Sequence, residues 1–335
     1  MSRFIAFPAL AFAVVSIAAG CRGSEKSRTT STTAGATPTV SAATAPVASE
    51  ERVAATPVSY ETAESVFNEG RYAEASELFT TFAGAHPENP WGHYMLGMSA
   101  WRAGQHEKAL SGFDQALQLD STHRKSLFNS SRVLLETGRS KDALERITNA
   151  LSLEPMSSEG LRLLGRGLYQ EGRIDQAIEA YQRAVSIDDR DVWSMNNLGL
   201  VYIQQGRSTE AIPALARAVE LRSNSPVFQN NLATALERSG YPVAAAKAYE
   251  GAIAADSTYA KASVGLARVT GGGQQAESAP VDLAALSQTF QAQIESWQQA
   301  ATVTDSIDSV SDSVLVSGGE VTDTLPEESE SEEQL

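Results

Sequence analysis

The sequence predicts an all-α protein whose central part is an array of six helical hairpins. Glycine recurs every 34 residues, at Gly70, Gly104, Gly138, Gly172, Gly206 and Gly240. Alanine recurs with the same period, at Ala75, Ala109, Ala143, Ala177, Ala211 and Ala245. A fixed period of this length is the signature of stacked repeats, each of which is one supersecondary unit.

Each repeat is predicted to consist of two short antiparallel helices. The glycine ends the first helix, where the backbone needs a left-handed conformation that glycine adopts freely. The alanine lies where the two helices cross closely, so a larger side chain would push them apart. The period predicts units at residues 56–89, 90–123, 124–157, 158–191, 192–225 and 226–259.

The residues around this frame resemble the tetratricopeptide repeat. The resemblance rests on the period, on pairs such as Leu96-Gly97 in the first helices, and on Pro87 at a unit end. It covers residues 56–259 and implies a right-handed α-solenoid. Residues 260–270 are predicted to form one more helix, which would cap the last unit.

The segment before the repeats predicts secretion and lipidation. Residues 1–20 contain a positive start and an apolar run that ends in small residues, a pattern typical of signal peptides. Together with Cys21, the single cysteine, the run resembles the signal of bacterial lipoproteins, in which the cysteine is lipidated after cleavage. The alternatives are an ordinary signal peptide with a chance cysteine and a short membrane-spanning helix. Residues 21–55 are rich in Ser, Thr, Ala and Pro, which predicts a disordered tether.

The segment after the repeats is acidic. Residues 271–335 contain thirteen Asp or Glu and no Lys or Arg. Within the segment, an amphipathic helix is predicted over residues 281–300, with an apolar face formed by Leu283, Leu286, Phe290, Ile294 and Trp297. Two interpretations remain open. Either the acidic tail binds the same chain at a cluster of basic residues, Lys125, Arg132, Arg162 and Arg166, with the helix beside Trp91, Tyr94 and Trp101, or the tail is solvated.

Charge and motifs argue against several function classes. Residues 56–270 carry 25 acidic and 21 basic side chains, so no basic face for nucleic acid is predicted. The sequence contains no phosphate-binding loop, no H-E-x-x-H, no cysteine pair and no G-x-S-x-G. We therefore predict no enzyme activity, no cofactor and no metal site.

The resemblance implies that the first helices line a concave groove that binds peptide segments of other proteins. Amide side chains would bond a peptide backbone, cations would pair with carboxylates, and aromatic rings would bury an apolar side chain. For the aromatic residues, the alternative is packing between neighbouring units, and for the cations it is solvation. The residues that the family frame places in the groove are Trp91, Tyr94, Trp101, Lys125, Asn129, Arg132, Arg162, Arg166, Trp193, Asn196, Asn197, Asn230 and Asn231.

The sequence thus predicts a scaffold for protein–protein interactions that is anchored in the envelope through lipid on Cys21. The expected location is the cell membrane or the outer membrane, facing the periplasm or the exterior. The expected role is assembly or secretion. The alternative is a cytoplasmic or accessory protein of the same fold, acting as a co-chaperone or as an adaptor of an enzyme complex.

Overall fold

A computed structural model describes residues 58–271 and 280–303, with side chains to residue 299. The described chain is helical throughout, which confirms the predicted fold class. The signal peptide, Cys21, the tether and the acidic residues after 303 lie outside these ranges, so the predictions for them stay predictions.

The helices of the six repeats come in antiparallel pairs, one pair for each predicted unit. They are α1 (Tyr60–Asn68), α2 (Tyr72–Ala85), α3 (Pro90–Arg102), α4 (His106–Leu119), α5 (Arg124–Glu136), α6 (Ser140–Leu153), α7 (Ser158–Gln170), α8 (Ile174–Ile187), α9 (Val192–Gln204), α10 (Ser208–Leu221), α11 (Pro226–Arg238) and α12 (Pro242–Ala255). Two further helices follow, α13 (Ala260–Gly271) and α14 (Leu283–Val303). The odd-numbered helices α1–α11 are the first helices of their units, and the even-numbered helices α2–α12 are the second helices.

The repeated glycines and alanines occupy the positions that their spacing predicts. All six glycines have a positive φ, between 72° and 83°. At Gly104, the backbone N–H donates to Trp101 O at 2.8 Å, and the next N–H donates to Ala100 O at 2.8 Å, which closes the helix end. The six alanines are completely buried between the paired helices.

A second set of glycines lets large side chains of the second helix approach the first helix. A methyl group on Gly97 would lie 2.6 Å from the ring of Phe113, and one on Gly165 would lie 2.7 Å from the ring of Tyr181. Both rings are fully buried. Gly165, inside α7, therefore serves the packing of α7 against α8.

The first helices lie on the inner side of the array. Each first helix contacts the first helix of the next unit, whereas the second helices of successive units make no comparable contact. Because the first helices are closer together, the array curves with their outward-facing side chains on the concave surface. We call this surface the groove.

Helix α14 packs on the opposite side, against the second helices α10 and α8. It begins at Leu283 rather than at residue 281, because the Asp282 carboxylate accepts from Ala285 N at 3.0 Å and caps the first turn. Phe290 and Ile294 of α14 are buried in the main core. The interpretation that this helix lies beside Trp91, Tyr94 and Trp101 is therefore wrong, because its apolar face is covered by second helices.

Candidate functional site

One end of the groove carries an aromatic cluster around Trp91. The Trp91 indole is 46% exposed and contacts Tyr94 and His123 edge-on, with its centroid 5.7 Å and 4.7 Å from theirs. Lys125 Nζ lies over the Trp91 ring, 5.6 Å from its centroid. These contacts hold the indole in one orientation while leaving nearly half of its surface open.

Tyr94 and His123 form the buried base of this cluster. Burial raises the pKa of the Tyr94 hydroxyl to about 12, so that the hydroxyl is neutral and can accept a hydrogen bond from Asn129 Nδ2 at 3.2 Å. Burial also lowers the pKa of His123 below its ordinary value. His123 Nδ1 accepts from Ser126 N at 3.3 Å and caps α5, which accounts for its position at a unit boundary.

Two of the four predicted groove cations are buried in ion pairs, Arg132 with a residue of the next unit and Arg162 with Asp191, the residue that caps the first helix of the next unit. Arg132 Nη1 donates to Asn129 Oδ1 at 2.6 Å, and its Nη2 donates to Glu159 Oε1 at 2.7 Å. Arg162 Nε lies 3.6 Å from Asp191 Oδ2, and both side chains are 8% exposed. Arg132 and Arg162 thus connect neighbouring first helices, and the carboxylates beside them neutralise two of the four predicted cations.

Lys125 and Arg166 are the cations of this set that remain available. Lys125 is exposed, and Arg166 is half-buried. Within the part of the chain that the structure describes, Arg166 makes neither an ion pair nor a hydrogen bond. The carboxylate of Glu136 is occupied elsewhere, because Trp101 Nε1 donates to Glu136 Oε2 at 2.7 Å. The middle of the groove therefore presents one guanidinium without a carboxylate.

The asparagines predicted at the other end form a buried ladder. Asn231 Nδ2 donates to Asn196 Oδ1 at 2.8 Å, across the boundary between two units. Asn197 and Asn230 are also buried, and each shares an amide hydrogen bond with its neighbouring ladder asparagine. These four side chains are thus largely occupied with one another, an arrangement that fixes the spacing of successive first helices.

Trp193 lies beside this ladder and is half-buried. Its ring packs edge-on against Phe228 of the next unit, with the centroids 4.9 Å apart, and the Arg222 guanidinium lies 5.5 Å from its centroid. For Trp193 the structure thus shows packing between units, while Trp91 keeps an exposed face.

Three residues that contact the predicted groove residues were not themselves predicted from the sequence, namely His123, Glu136 and Glu159. Glu136 and Glu159 occupy places in the 34-residue frame that the family assigns to the groove, and each pairs with a residue of an adjacent unit. The recurring separation of 35 residues between Tyr94 and Asn129, and between Trp101 and Glu136, would have indicated these inter-unit contacts.

The described residues hold neither a candidate metal site nor a candidate membrane span. No group of three or more His, Cys, Asp or Glu residues in ranges 58–271 and 280–303 is placed to hold a metal ion. Of the helices in these ranges, none has the length and apolarity needed to cross a bilayer.

The paired helices, their short turns and the polar inner face define an α-solenoid of helical hairpins. A family model described as TPR repeat matches residues 165–206, and one described as tetratricopeptide repeat matches residues 60–123 and 196–268. The chain therefore carries tetratricopeptide repeats. Among curated protein sequences, none matches the chain significantly.

Solved structures share the fold at low identity. A tetratricopeptide repeat protein from Parabacteroides merdae ATCC 43184 is 14% identical, with a TM-score of 0.53 over 63% of this chain and 82% of its own. The Cut9–Hcn1 hetero-tetramer of the APC/C contains a chain that is 19% identical, with a TM-score of 0.54 over 62% of this chain and 41% of its own. MamA 41-end from Desulfovibrio magneticus RS-1 is 22% identical, with a TM-score of 0.46 over 49% of this chain and 92% of its own.

Proposed function

We propose that this chain is a lipid-anchored scaffold that binds an extended peptide segment of a partner protein along the groove. The observation that carries the proposal is that two groups lie on first helices of the groove: an exposed, pre-oriented Trp91 on α3, and on α7 an Arg166 that has no carboxylate partner among the described residues. The proposal includes no catalytic step.

The Trp91 end of the groove is suited to an apolar side chain of the ligand. An exposed tryptophan buries a large area when it is covered, and burial of apolar surface stabilises a complex by about 25 cal/mol per Å². Because Tyr94 and His123 already hold the indole, its ordering on binding costs little conformational entropy.

The Arg166 position is suited to a carboxylate of the same ligand. Arg166 lies on α7, two units beyond α3, which carries Trp91. Packed helices are 8–10 Å apart, so two units correspond to roughly 20 Å along the groove. An extended chain advances about 3.3 Å per residue, so the apolar and acidic residues of the ligand would be about six residues apart.

The proposed anchor is a lipid on Cys21. It is supported by the apolar run and small residues that precede this cysteine. Two acyl chains make anchoring stable, at about 0.8 kcal/mol for each buried methylene. The residues between Cys21 and α1 provide about 38 residues of chain between lipid and groove, with a span on the order of 35 Å if that chain is flexible.

The groove is tested by photo-crosslinking in intact envelopes. A photoreactive amino acid replaces Met98, which lies seven residues after Trp91 on the first helix α3, or Lys247 of the second helix α12 as a matched control. We expect a discrete partner band from the Met98 position only. Equal products from both positions, or none from Met98, would contradict the groove assignment.

A further inference from the structure

Helix α14 crosses the second helices in the direction from unit five towards unit four. Near its start, Leu283 and Leu286 pack against the core cluster to which α10 contributes, and Ser287 Oγ donates to Glu220 Oε2 of α10. Near its end, Gln298 Nε2 donates to Ser186 O of α8 at 3.0 Å. Between these points, Phe290 and Ile294 fill the space between α8 and α10.

The repeat contains a second, open copy of the surface that α14 covers. A shift of 68 residues, which is two repeat periods, relates α8 and α10 to α4 and α6. In this alignment of repeats, Gln118 is equivalent to Ser186 and Arg146 is equivalent to Ala214. Between α4 and α6, a cleft of about 390 Å³ lies at this equivalent place. It is lined by Asp114, Leu117, Gln118, Ser121, Leu127, Arg146 and Asn149.

The cleft differs from its covered copy at each lining position, and the difference that bears most on an occupant is Arg146. Arg146 replaces an alanine, and its Nη2 contacts Asp114 Oδ1 at 2.7 Å. The other terminal nitrogen, Nη1, is buried and finds no acceptor among the described residues. A buried donor without an acceptor is destabilising, so binding would favour an occupant that places an oxygen within hydrogen-bond distance of Nη1 and an apolar side chain beside the leucines.

We propose that this cleft binds residues 304–316 of the same chain. This segment directly follows α14, which ends on the second-helix side after running towards unit four. Of its five apolar residues, Ile307, Val310 and Val314 are spaced by three and four, and Asp308 and Asp312 lie between them. The apolar residues match the leucines of the cleft, and an aspartate supplies the acceptor for Arg146 Nη1.

The length of the segment is sufficient for this placement. The cleft lies between one and two units beyond α8, on the order of 10–20 Å at the spacing of packed helices. Thirteen residues cover about 20 Å as a helix and more when extended. The contact would extend the α14 layer over the second helices and leave the groove open to its ligand.

The proposal is tested by cysteine crosslinking in the full chain with Cys21→Ser. Ser309→Cys is combined either with Gln118→Cys in the cleft or with Lys125→Cys in the groove, and a bismaleimide of short reach joins the pair. We expect an intramolecular Ser309–Gln118 product that forms at least five-fold faster than the Ser309–Lys125 product. Arg146→Ala should slow its formation several-fold, whereas Lys141→Ala, which removes an exposed cation from the same helix, should leave the rate unchanged.

A second variant, changed in the tail and not in the repeats, keeps the test decisive if Arg146→Ala destabilises unit three. If Arg146→Ala lowers the melting temperature, the pair Asp308→Asn and Asp312→Asn removes the same contact from the tail side and should slow the cleft product equally. Equal rates for cleft and groove, a faster groove product, or products that mainly join two chains would each overturn the proposal.

Discussion

The close approach of Tyr181 to α7 allows a sharp test of the packing, through the substitution Gly165→Ala. Two effects oppose each other at this position. Alanine is favoured over glycine inside a helix by about 1 kcal/mol. A methyl group on Gly165, however, would lie 2.7 Å from a ring carbon of Tyr181, whereas carbon atoms in contact are normally about 3.5–4.0 Å apart.

The structure decides which effect is larger. Tyr181 is fully buried, so its ring has no open space into which to move. Overpacking of a well-packed core costs about 1–3 kcal/mol, which equals or exceeds the gain in helix propensity. We therefore expect Gly165→Ala to lower the free energy of unfolding by up to about 2 kcal/mol.

Gly84 in α2 is the matched control. It is exposed, and a methyl group there would meet nothing within 4 Å. Gly84→Ala should leave stability unchanged or raise it by up to about 1 kcal/mol, since only the propensity changes. The two variants are compared by urea denaturation followed by circular dichroism, with hydrogen exchange in α7 as a local measure, because repeat arrays can depart from two-state unfolding. A Gly165→Ala protein as stable as the Gly84→Ala protein would refute the packing argument.

Three further predictions concern other parts of the chain. Ala177→Trp should destabilise the array by a few kcal/mol, because a fully buried alanine has no room for an indole, whereas Arg166→Ala should hardly change the melting temperature; similar losses for both would show that the faces are assigned wrongly. Cys21→Ser should move the protein from the membrane to the soluble envelope fraction or leave it unprocessed, and unchanged size with unchanged membrane recovery would exclude lipidation. Burial lowers the pKa of His123 in the folded protein, so the folded state binds the proton only at a lower pH than the unfolded state does. The free energy of unfolding should therefore fall as the pH drops below about 6.5. His123→Asn, which keeps a capping side chain, should reduce this loss of stability in acid, and an unchanged pH profile of stability would contradict the prediction.

The periodic part of the fold could be predicted from the sequence because its determinants are local. Gly104 ends α3 because the chain needs a left-handed residue there, and Ala109 is small because α3 and α4 cross closely at that point. Neither requirement depends on residues more than one unit away. Repetition at a fixed period then makes each local requirement visible six times.

The site was less accessible to sequence reasoning, because its residues depend on partners in other units. Arg132 and Arg166 occupy related places in the frame, yet only Arg132 meets a carboxylate, that of Glu159 one unit later. Helix α14 was predicted from its own periodicity, but its docking surface lies about 70–110 residues earlier in the chain, and no local pattern identifies it.

The central claim, that the inner face of the repeats binds an extended peptide through Trp91 and Arg166, is tested most directly by affinity measurements. Peptides are selected from a random library on the full chain, and the binding constant of an enriched peptide is measured by calorimetry. We expect an apolar and an acidic residue about six positions apart, and at least a ten-fold loss of affinity for Trp91→Ala and for Arg166→Ala. Lys247→Ala on α12 should bind like the unmodified chain. Full affinity in both groove variants would contradict the claim.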